Sequence, residues 1–63
     1  MTQKELLYLE DAYKHECNII GVCYFMIEEL DDEDLKSFIE KEVKKHITMK
    51  DKILRLMEDK SDE

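Results

Sequence analysis

Leu30-Asp31-Asp32-Glu33-Asp34 (residues 30–34) is the stretch on which the architecture turns. An apolar residue is followed there by four acidic ones. Aspartate is a good first residue for a helix, because its short side chain accepts hydrogen bonds from backbone N–H groups that a helix start leaves unpaired. Acidic residues in the turn that follows suit the positive end of the helix dipole. The stretch therefore reads as one helix ending and another beginning, with Asp31 or Asp32 as the cap. With no proline and a single glycine in 63 residues, the chain offers no other comparable break.

Thr2 followed by Glu5 matches a capping box and starts the first helix. The spacing predicts one domain made of two nearly equal helices, about 3–30 and 33–59. The turn falls at 31–32 and a frayed tail at 60–63. Glu40 with Lys44 and Asp51 with Arg55 are spaced for exposed ion pairs one helical turn apart. In the first helix Leu6, Leu9, Tyr13, Glu16, Ile20, Cys23, Ile27 and Leu30 recur at alternating steps of three and four. That is a heptad seam with one intruder, Glu16. A second flank of Tyr8, Ala12, Ile19, Val22 and Met26 widens the stripe, so this helix is expected to touch at least two neighbours. In the second helix the apolar residues from Leu35 to Met57 fall within one half-circle, with Glu42 and His46 near its centre. Lys36 and Lys50 lie towards one edge, where long stems reach water.

Composition narrows the class. The charged and hydrophobic fractions are both 43%, a balance that suits amphipathic helices rather than disorder. A net charge of −7 argues against nucleic acid and anionic membranes as partners, since both select clustered Lys and Arg. Met1 to Glu10 is polar and acidic and does not read as a signal peptide. The most apolar run, Cys17 to Ile27, is about half the ~20 residues a membrane span needs. A cytoplasmic or spore-associated location is expected. Cys17 and Cys23, six apart on one helix, point in different directions and cannot bridge each other. They read as reduced core fillers.

A lone hairpin of this length would leave much of both wide apolar faces in water. The expected fold is therefore all-α: an antiparallel two-helix hairpin that dimerises into a four-helix bundle. Glu16, Glu42 and His46 then become the candidate site. An ionised carboxylate is very costly to bury without a cation, a proton or hydrogen bonds. Glu16 and His46 lie near the middles of their helices, at similar heights. A two-fold axis crossing at mid-length would gather four carboxylates and two imidazoles, enough to hold two divalent ions. That donor set favours iron, zinc or manganese over magnesium or calcium. Gly21, level with Glu42, reads as room for its side chain. Tyr13 is placed as a core aromatic, and His15 as a surface residue at the edge of the stripe.

Two stretches carry a resemblance. Glu5-Leu6-Leu7-Tyr8-Leu9-Glu10-Asp11-Ala12 leads to His15-Glu16, and Leu35-Lys36-Ser37-Phe38 leads to Glu42 and His46. In pattern they resemble the small ferritin-like helical proteins of spore-forming clostridia, catalogued as similar to the spore coat protein F family. The resemblance covers most of the chain. It implies a ferritin-like four-helix bundle, often with a carboxylate-bridged metal pair. Glu16 would match the first-helix ligand, with Glu42 and His46 as the second-helix pair. The chain departs from the superfamily's Glu-x-x-His, because Glu42 and His46 are four apart.

No nucleophile-base constellation, phosphate loop or Cys-x-x-Cys motif appears. The leading expectation is a metal-binding, di-iron carboxylate homodimer, with ferroxidase-type activity only if the two-metal site forms. The alternative is a metal-free structural or spore-coat module, partnered by itself and by other coat or assembly proteins, whose Glu/His layer sets register.

Overall fold

A computed structural model describes residues 1–61. It contains α1 (Gln3–Glu29) and α2 (Glu33–Ser61), which pack against each other as an antiparallel hairpin. The molecule measures 48 × 14 × 11 Å between Cα atoms, a rod two helices wide. Among the described residues no helix is long and apolar enough to cross a membrane.

Both helix starts follow from their capping residues. The Thr2 hydroxyl accepts from the Glu5 N–H at 3.1 Å, and the Glu5 carboxylate accepts from the Thr2 N–H at 2.8 Å. This reciprocal pair satisfies two N–H groups at the helix entrance. It also holds the Glu5 carboxyl below its ordinary value of 4.5, through the Thr2 backbone hydrogen bond first and the Thr2 side chain second. At α2 the cap is Asp32, whose Oδ1 accepts from the N–H groups of Asp34 at 2.9 Å and Leu35 at 3.1 Å. Glu33 and Asp34 occupy the first turn, against the positive dipole end.

The helix ends differ by a residue or two from the expectation. α1 stops at Glu29, and Leu30 turns extended (φ −79°, ψ 137°) while its N–H still donates to the Met26 carbonyl at 2.9 Å. The turn is thus residues 30–32. α2 continues past 59 through Lys60 and Ser61. Nothing there breaks a helix, and Lys60 complements the negative dipole end. The last two residues of the expected tail, 62–63, lie outside the described residues.

The core is thin. Cys23, Val43 and Ile53 are buried, and no described residue falls below 2% exposure. Leu9, Tyr13, Ile20 and Ile27 of the first-helix seam are half-buried against α2. Tyr8, Ile19 and Val22 of the second flank of α1 and half of the apolar arc of α2 remain in water, while Ala12 and Met26 are half-buried. Tyr8, Val22 and Phe38 are 61%, 57% and 59% exposed. Cys17 is exposed and only Cys23 fills the core, because Cys17 sits on the side of α1 turned away from the contact. Tyr24 and Phe25 are exposed as well.

Candidate functional site

Glu16 and His46 meet. The His46 Nδ1 lies 2.6 Å from the Glu16 Oε2, halfway along the hairpin. Each occupies a contact-facing position of its helix, so packing the helices brings them together across the seam. Their side chains keep only 17% and 30% exposure respectively. A carboxylate only accepts, so Nδ1 donates the hydrogen, which in a neutral imidazole selects the Nδ1–H tautomer. Nε2 is then left without a partner among the described residues. A short, charge-assisted bond in a half-dry seam is stronger than its exposed equivalent.

Glu42 is elsewhere. Four residues before His46, it lies about 40° round the helix from it, away from the centre of the contact with α1. Its carboxylate takes the Lys45 ammonium, 3.2 Å away, and keeps 31% exposure. Lys45 was not singled out from the sequence, although its i,i+3 spacing from Glu42 was the available signal. Gly21 does not make room for Glu42: a Cβ there would meet no atom within 4 Å. It belongs to an open side of α1.

The remaining candidates are peripheral. His15 is exposed and Tyr13 half-buried, and neither side chain hydrogen-bonds any described residue. Lys50 is half-buried with its ammonium 3.9 Å from Asp51, which stands nearest it in place of the expected Arg55 pairing. Among the described residues Glu40 and Lys44 also make no ion pair.

A metal needs at least three convergent donors. Among the described residues no group of three His, Cys, Asp or Glu side chains gathers to hold an ion. One hairpin therefore offers an imidazole-carboxylate pair and a separate carboxylate already matched to an ammonium. That set does not fit a metal by itself, and any centre would require donors from a second chain.

A concave feature lies at the open end of the hairpin. It is a shallow groove of about 520 Å3 lined by Met1, Glu5, Tyr8, Leu9, Leu56 and Lys60. It is mainly apolar and carries no convergent catalytic groups. No protein-family model, curated protein or solved structure matches the chain.

Proposed function

We propose that this protein is a structural assembly unit. Its hairpin pairs with a second copy as a four-helix bundle, and its Glu16–His46 layer fixes the register of the packed helices. The observation that carries this reading is the 2.6 Å contact between those side chains at mid-hairpin. Apolar seams built from repeating Leu and Ile slide easily by one turn, whereas a buried polar pair is satisfied in one alignment only. The wide exposed apolar faces supply the reason to assemble. The likeness to small spore-coat proteins supports a coat or assembly role, with other coat proteins as further partners.

The test replaces the layer. Glu16→Leu with His46→Leu should leave a folded helical protein that melts at a higher temperature, because two apolar side chains pack where a polar pair was desolvated. It should also sediment as a mixture of species rather than one. A double variant that is destabilised yet still forms a single species would remove the register role.

A second reading keeps the metal. In its neutral form an imidazole held by Glu16 through Nδ1 presents the Nε2 lone pair, the arrangement that carboxylates impose on metal-bound histidines. Paired hairpins would then contribute Glu16, Glu42 and His46 twice over, a donor set that suits iron, manganese or zinc. Elemental analysis of the purified protein separates the readings. Under the metal reading, chelation lowers the melting temperature and Glu42→Gln abolishes uptake. Under the assembly reading, neither changes.

A further inference from the structure

We infer that the second copy docks on one particular side of the hairpin, with its turn at the opposite end of the bundle. α1 then lies over the partner's α1, and α2 over the partner's α2. This rests on the self-pairing proposed above and adds the face and the orientation.

The face is set by two stripes. On α1, Tyr8, Ala12, His15, Ile19, Val22 and Met26 recur at steps of four and three. On α2, Phe38, Glu42, Lys45, Met49, Lys52 and Leu56 recur at the same steps in the same order. Both keep heptad spacing beside, not within, the contact between the helices; the α1 stripe is mainly apolar and the α2 stripe mixes apolar and charged residues. At ~100° per residue the two stripes fall on the same side of the antiparallel pair. The terminal groove bears this out, since Tyr8 of one stripe and Leu56 of the other line it together. The opposite flank of α1 carries Cys17 and Tyr24 and has no such repeat.

Area leaves a face large enough for a partner. A compact monomer of 7.6 kDa exposes about 4,300 Å2, whereas this chain exposes 5086 Å2. The excess is close to the ~800 Å2 per partner that a stable interface covers. The face itself measures about 48 by 14 Å between Cα atoms.

Orientation follows from which residues the stripes match. Antiparallel self-pairing of the α1 stripe sets Tyr8 against the partner's Met26, and Ala12 against the partner's Val22. Antiparallel self-pairing of the α2 stripe sets Phe38 against the partner's Leu56, and Glu42 against the partner's Lys52. Three of these pairings are apolar on apolar, and Glu42 gains a base that makes no ion pair among the described residues. The pairings left over set His15 against the partner's Ile19 and Lys45 against the partner's Met49. The two-fold axis falls near residues 17 and 47, close to the Glu16–His46 layer. The other arrangement, with both turns at one end, lays α1 over the partner's α2. It keeps Tyr8 on the partner's Leu56 and Met26 on the partner's Phe38. It also sets Ala12, Ile19 and Val22 against Lys52, Lys45 and Glu42 of the partner subunit, which places three charges on apolar side chains where the first arrangement places one.

Two measurements test this. In a Cys17→Ser, Cys23→Ala background, a spin label at Asp31→Cys reports the separation of the two turns. The expected distance is comparable to the 48 Å length of the rod. A distance of ~20 Å, two helix spacings, overturns the orientation while leaving pairing intact. In the native background, Val22→Glu and Phe38→Glu are expected to weaken self-association at least about 100-fold by sedimentation, since each buries a charge in the seam. Phe25→Glu, on the far side of α1 and equally exposed, should leave it unchanged. If Phe25→Glu dissociates the protein and Val22→Glu does not, the face is wrong. An unaltered chain that stays monomeric at high concentration overturns the pairing itself.

Discussion

The capping box is the clearest single-residue device in the chain, and it titrates. Glu5 is held below 4.5 by its hydrogen bonds with Thr2. A carboxyl with a folded pKa below its unfolded one stabilises the fold above the unfolded value. That contribution fades as pH falls through the depressed value. Thr2→Ala removes the hydroxyl and keeps the backbone N–H, so the Glu5 midpoint in an NMR titration should rise only part of the way towards 4.5. The lost cap should cost about 1 kcal/mol of stability at neutral pH. At the seam the asymmetry is sharper. Glu16→Leu alone strands the His46 imidazole and should destabilise by about 1–2 kcal/mol in a chemical melt. Adding His46→Leu should recover that loss. Glu16 and His46 could be read from the sequence because each interrupts an apolar repeat at its centre. Glu42 could not be placed so well. The wheel of α2 averages two faces into one broad arc, and Glu42 falls in the middle of the average although it lies beside the face that α1 covers.

Each helix is made by its ends more than by its middle. α1 has a full capping box, and α2 has Asp32 accepting two N–H groups. Gly21 is the weak point of α1. Its backbone is ordinary for a helix, and the space beyond it is open, so it contributes only excess freedom in the unfolded chain. Gly21→Ala should therefore raise stability by about 1 kcal/mol, seen as a higher denaturation midpoint with an unchanged slope. Because Gly21 lies off the proposed docking face, the sedimentation behaviour should not change. Crowding between Gly21 and a partner would show as lost association in that variant. Two long helices and the acidic turn were legible because cap chemistry is local and lies within a few residues. The exact stops were not, since Leu30 and Lys60 are each compatible with one more or one fewer helical residue.

The whole molecule is a rod whose thin core leaves its stability dependent on what covers it. Among the described residues three side chains, Cys23, Val43 and Ile53, are buried, a thin core for a hairpin of this length, and small domains need a further source of burial. If pairing supplies it, the melting temperature should climb as protein concentration is raised over a hundredfold range, by the mass action that couples folding to assembly. A melting temperature independent of concentration would mean the hairpin stands alone. Charge, cap residues and the three-four spacing of apolar positions were enough to specify two amphipathic helices and the turn between them, because those properties act over one helical turn. They could not say which polar side chains would meet. That was settled by the angle at which each helix presents itself to the other, which brought Glu16 to His46 and left Glu42 with Lys45. Contact across thirty residues depends on packing summed along the entire seam, and no short window of sequence contains that sum.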